Sequence, residues 1–170
     1  MNSNTDFTLA IEDLTVSFDG FKAVDGLNFY LDQNELHVVI GPNGAGKTTV
    51  LDLICGKTKS TSGSIKFLNE ELTKMSEHEI VRAGVGRKFQ TPSIYENLSV
   101  RNECKEREQT AELLNKICKG RSVLVIEHDM EFVERIAHKV TVLHQGKILA
   151  VGNMQEVQND PKVIEVYLGH

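Results

Sequence analysis

Residues 41–49 read GPNGAGKTT, and this stretch decides the fold. Gly41, Gly44 and Gly46 with Lys47 and Thr48 complete the pattern GxxxxGK[ST]. The run before it, ELHVVI (35–40), is β-branched and apolar, as a strand should be. The run after it, TTVLDLICG (48–56), has the spacing of an amphipathic helix, with Gly56 as its stop. Strand, glycine loop and helix make a phosphate cradle. Glycines let backbone N–H groups turn inward around an anion, and the helix N-terminus adds its positive end. The Lys47 ammonium is placed to reach β- and γ-phosphates, and the Thr48 hydroxyl to ligate Mg²⁺. Pro42, Asn43, Ala45 and Thr49 complete the loop.

Working outward, TLAIEDLTVSF (8–18) alternates apolar and polar residues and predicts a half-buried strand with an irregularity near Asp13. LNFYL (27–31) and GSIKFL (63–68) predict further strands. SEHEIVRAG (76–84) predicts a short helix opened by a capping box of Ser76 and Glu79. VGRKF (85–89) reads as a short strand. CKEREQTAELLNKICKG (104–120) reads as a helix with Leu113, Leu114, Ile117 and Cys118 on its apolar side. SVLVI (122–126) is a continuous apolar run, the mark of a strand buried on both faces. MEFVERIAHK (130–139) predicts a helix, and KVTVLHQGKILAVG (139–152) a hairpin turning at Gln145-Gly146. The tail, 154–168, predicts two short helices divided near Pro161. The alternation predicts one α/β domain over residues 1–170, with a largely parallel core and an antiparallel β flank.

At 170 residues the chain is long enough for one domain with a real core. A net charge of -5 argues against nucleic acid as the main partner. The start, MNSNTDFTLAIEDL, lacks the basic and apolar regions of a secretory signal, and no apolar run nears the ~20 residues that span a bilayer. Three cysteines, Cys55, Cys104 and Cys118, give no CxxC, and the six histidines show no metal-ligand spacing.

GPNGAGKTT, then GVGRKFQTPSIYENLSV (84–100), then VLVIEHDMEFV (123–133) resemble the ATP-binding subunits of ABC transporters, over nearly the whole chain. Within that family the sequence looks most like importers for branched-chain amino acids. GRKFQTP and EHDMEFV…KVTVLHQGKILAVG point to the urea branch. The resemblance implies a P-loop NTPase core that binds ATP and Mg²⁺. It places Phe18 as the aromatic stacked on adenine, Gln90 as the Q-loop glutamine near Mg²⁺ or the attacking water, and His128 as the switch histidine at the γ-phosphate. Residues 92–100 match the region that touches a transmembrane subunit. The implied partners are permease subunits, a second ATP-binding subunit and, indirectly, a periplasmic solute-binding protein. The implied location is the cytoplasmic face of the plasma membrane.

Two family motifs are missing. No LSGGQ-like signature occurs, and no apolar strand ends in Asp-Glu, the Walker B acids. In the family both lie between the Q-loop and the switch histidine, with a helical subdomain. Here that interval holds one loop, one helix and one strand, so a deletion junction is expected near 101–105. Binding should survive better than hydrolysis. The alternatives are a nucleotide-binding module without turnover and a P-loop enzyme of another class that uses Glu127 or Asp129 as its acid. Loss of the catalytic strand should also leave 122–126 as an exposed edge, or newly paired to 85–89, in a marginally stable or poorly soluble chain.

Overall fold

The computed structural model of the chain describes residues 7–87 and 100–168, with backbone alone for 100–105 and 168. Strands β1 (Phe7–Phe18) and β2 (Phe21–Asp32) form a long hairpin. Asp19 and Gly20, with φ of 48° and 87°, make the two-residue turn whose twist suits a hairpin. Its inner face is a ladder of buried pairs: Leu9 with Leu31, Ile11 with Phe29, Leu14 with Leu27, Val16 with Val24. The expected irregularity falls at Asp13, which has φ 49° and donates its N–H to Asn28 Oδ1 at 3.0 Å. Strand β4 (Ser62–Phe67) pairs with the other edge of β1, and a two-residue strand, β5 (Glu70–Glu71), closes that sheet.

The second sheet is built on β3 (Leu36–Ile40), the strand before the glycine loop. Strand β6 (Val123–Ile126) and strand β7 (Lys139–His144) flank it, both parallel, and β8 (Lys147–Gly152) returns antiparallel to β7 through Gln145-Gly146. All five residues of β3 are buried, as a strand covered on both faces requires. One face meets the antiparallel sheet together with α1 (Lys47–Ile54) and α2 (Glu77–Ala83). The other meets α3 (Val100–Ile117), α4 (Met130–Ile136), α5 (Met154–Gln158) and α6 (Pro161–Leu168). The Ser76–Glu79 capping box forms at the start of α2 as expected.

Three expectations fail. Residues 85–87 form no strand, because α2 ends at a left-handed Gly84 and Arg87 turns back to ion-pair with Asp52 of α1; 88 and 89 lie outside the described residues. Strand β6 is half-buried along its length rather than buried on both faces. It stands at the end of its sheet, with β3 as its one neighbour among the described residues. The stripe expected on α3 also divides. Leu114 and Cys118 pack into the core with Ala111, whereas Leu113 is 55% exposed and Ile117 39%.

Candidate functional site

The glycine loop joins β3 to α1 at the C-terminal end of the parallel strands, where α/β sheets place their ligands. Glycine is required here by contact as well as by conformation. A Cβ on Gly41 would lie 2.3 Å from the Leu143 carbonyl oxygen, and one on Gly46 2.7 Å from that of Ala23. Gly46 has φ 102° and immediately precedes α1. The β7–β8 turn holds the loop from the side. Gly146 donates its N–H to Ala45 O at 2.9 Å, and its own carbonyl accepts from Asp25 N at 3.0 Å. Backbone from β2, the hairpin turn and the loop thus meets without intervening side chains. The Gln145-Gly146 turn was legible as a hairpin, but nothing in its sequence tied it to the loop.

Lys47 is 7% exposed and donates Nζ to Gly41 O at 2.6 Å and Pro42 O at 2.8 Å. Burial lowers its pKa. No side chain caps α1 and no acid stands in its first turn, so its first N–H groups, which lack intrahelical partners, are open to an anion. Thr48, exposed on that turn, could offer its hydroxyl to Mg²⁺. Glycine-lined cradle, uncapped helix start and inward lysine together suit a polyphosphate.

Glu127 N donates to Val39 O at 3.4 Å, which sets the end of β6 beside the start of the loop. His128 follows and is exposed. The acids on either side of it are occupied. Glu127 Oε1 accepts from His128 N at 2.9 Å and Asp129 N at 3.3 Å. Asp129 caps α4, accepting from Glu131 N and Phe132 N, and its other oxygen meets Arg107 at 2.6 Å. Phe18 is 48% exposed at the tip of the β1–β2 hairpin. Gln90 and residues 92–99 lie outside the described residues. Among the described residues no group of three or more His, Cys, Asp and Glu could hold a metal, and no helix is long and apolar enough to cross a membrane.

A family model described as ABC transporter matches residues 24–158, and one described as branched-chain amino acid ATP-binding cassette transporter matches 147–170. A probable branched-chain amino acid transport ATP-binding protein LivG of Archaeoglobus fulgidus is 24% identical, with 95% of each chain covered. The high-affinity branched-chain amino acid transport ATP-binding protein BraF of Pseudomonas aeruginosa is 27% identical, covering 95% of this chain and 97% of that protein. The first alignment runs over 244 positions, more than the 170 residues of this chain, so the relative carries residues with no counterpart here. A crystal structure of a nucleotide-free ATP-binding cassette from an ABC transporter superposes with a TM-score of 0.77 at 22% identity, covering 96% of this chain and all of that one.

Proposed function

The chain belongs to the ABC transporter family, and on that premise we propose that it is the ATP-binding subunit of an importer for urea or branched-chain amino acids, in an internally shortened form. Lys47 inside the 41–49 cradle, at the uncapped start of α1, is the observation that carries the reading. The backbone amides and Lys47 bind the phosphates, Thr48 and Gln90 hold Mg²⁺, Phe18 supports the base and His128 contacts the γ-phosphate. Mg²⁺, when bound, offsets charge on the phosphates. The partners are permease subunits at the inner face of the plasma membrane, a second ATP-binding subunit and, through the permease, a periplasmic binding protein. The relatives named for branched-chain amino acid transport and the match over 147–170 support the importer branch; GRKFQTP and EHDMEFV are the grounds for urea.

Turnover is impaired in this reading, because the deletion near 101–105 removes the signature helix and the Walker B acids. Absence of a general base alone costs roughly 10²–10⁴-fold in rate. The engagement of Glu127 and Asp129 in local hydrogen bonds favours a second reading, a nucleotide-binding module without turnover, over an enzyme that uses Glu127. Calorimetric titration of the full chain with Mg·ATP tests the core claim. Saturable binding that disappears in Lys47→Ala, with turnover near background, is expected. No binding, or brisk hydrolysis by the chain alone, overturns it. Uptake of labelled urea against labelled leucine, in cells carrying the permease subunits, decides the solute.

A further inference from the structure

The turn that braces the phosphate loop is held to β2 by backbone and by charge. Gly146 lies so close to β2 that a Cβ on it would stand 2.7 Å from the Ala23 carbonyl oxygen and 3.1 Å from Val24 Cα. The next residues on the two strands, Asp25 and Lys147, carry opposite charges. Asp25 Oδ2 meets Lys147 Nζ at 3.2 Å, and Oδ1 accepts from Lys22 Nζ at 2.9 Å. Each carboxylate oxygen has its own ammonium. The two cations, Lys22 foremost, hold the carboxyl below the usual carboxylate range. The pairs differ in what they join. Lys22 lies three residues away on β2 and ties Asp25 only to its own strand. Lys147 is the first residue of β8, directly after the turn, so its pair spans from β2 to the turn.

A chain of contacts runs inward from that pair. Asp25 N donates to Gly146 O at 3.0 Å, and Gly146 N donates to Ala45 O at 2.9 Å, inside the loop. On the nucleotide-binding reading of the loop, we propose that Asp25, through its bridge to Lys147, is a positioning residue for the phosphate cradle. It keeps the Gln145-Gly146 turn seated on β2, and the seated turn holds Ala45 and the loop in the form that accepts a polyphosphate. Asp25 touches no ligand in this role. Apparent affinity then scales with the fraction of molecules in the seated form. The direction is opposite to what charge alone would do. A carboxylate repels an anionic ligand, so plain electrostatics has its removal tighten binding. Positioning has its removal weaken binding. The bridge is partly exposed, so its effect is a few-fold and shrinks as salt rises.

The test titrates the full chain at low salt with Mg·ATP and with inorganic tripolyphosphate, which probes the cradle without a base. Titrations are run well below each variant's thermal midpoint, so that folding stays out of the comparison. Asp25→Asn is expected to weaken both ligands about threefold, and Asp25→Glu, which keeps the charge, to stay near wild type. Lys147→Met should weaken both about as much as Asp25→Asn. The double variant should lose no more, because the same bridge is gone in all three. Lys22→Met removes an equal charge without touching the turn, so it should weaken binding less than Lys147→Met. Unchanged or tighter binding in Asp25→Asn overturns the proposal, as the carboxylate would then act as a charge or not at all. Additive losses in the double variant overturn it, as does equal weakening by Lys22→Met and Lys147→Met. Failure of the wild-type chain to bind either ligand sinks the nucleotide reading itself, a result distinct from these.

Discussion

Arg107 on α3 meets Asp129, the N-cap of α4, at 2.6 Å. The other carboxylate oxygen of Asp129 accepts from Glu131 N and Phe132 N. Both oxygens are thus committed to holding the junction where β6 passes into α4, next to His128. The pair is partly exposed, so the ion pair itself is worth about 0–1 kcal/mol, and the cap about 1 kcal/mol. Arg107→Ala should shift the thermal midpoint little. Asp129→Ala should lower it clearly, and Asp129→Asn, which keeps the cap, should lie close to Arg107→Ala. Nucleotide titrations on Asp129→Asn should match wild type, because this carboxylate serves the backbone. Loss of binding in Asp129→Asn at unchanged midpoint would give Asp129 a role at the ligand.

Gly46→Ala tests whether the cradle is fixed by close backbone approach. The added methyl would sit 2.7 Å from Ala23 O, in a backbone conformation with φ 102° that side chains rarely adopt. Strain of this kind costs on the order of 1–3 kcal/mol, and the loop must also draw back from β2. A fall in thermal midpoint together with lost Mg·ATP binding is expected in parallel melts and titrations. Gly44→Ala meets no neighbour within 4 Å and bears only the cost of φ 80°. It should unfold less readily than Gly46→Ala.

The legibility of this chain varied with how local the cause was. Residues 41–49, the Ser76–Glu79 box, the Gln145-Gly146 turn and the division at Pro161 are dictated by neighbouring residues, and each forms where the sequence places it. Residues 85–87 failed because the pull on Arg87 comes from Asp52, far away in sequence. The run 123–126 reads as an interior strand because its composition suits one, while its burial depends on what stands beside it.

Stability in mild acid should be governed by His37. It is 1% exposed as the second residue of β3, its Nε2 lies 2.7 Å from Thr141 Oγ1, and Nδ1 has no hydrogen-bond partner, 3.6 Å from Glu35 Oε1. Lys139 faces the same group, 3.2 Å from both Glu35 and Asp32. Burial drives the His37 pKa down to about 4, helped by Lys139 and opposed by Glu35. A folded value below the unfolded one means that the unfolded chain takes up the proton first. The stability from keeping His37 neutral is complete above about pH 6.5, and it is lost progressively as pH falls toward 4. The loss is on the order of 3 kcal/mol. Denaturant midpoints should therefore drop between pH 6.5 and 4, and His37→Gln should flatten that limb. An equal slope in the variant would remove His37 as the cause.

The free side of β6 makes the last prediction. Val123 N donates to Glu35 O and Glu127 N to Val39 O, so in this parallel ladder the odd-numbered N–H groups face β3 and those of Leu124 and Ile126 face away. Among the described residues no strand pairs with that side. An apolar edge of this kind templates pairing with other chains. Leu124→Pro removes one outward N–H without touching the β3 ladder. Because Leu124 is half-buried, the substitution should lower the thermal midpoint. A loss of stability by itself speeds aggregation, since it exposes more chain. If the edge is the template, Leu124→Pro should nevertheless slow aggregation at matched fraction folded, followed by light scattering. Leu113→Ala, on the exposed part of α3, should leave the rate unchanged. Faster aggregation in Leu124→Pro would place the hazard in global unfolding and not at the strand edge.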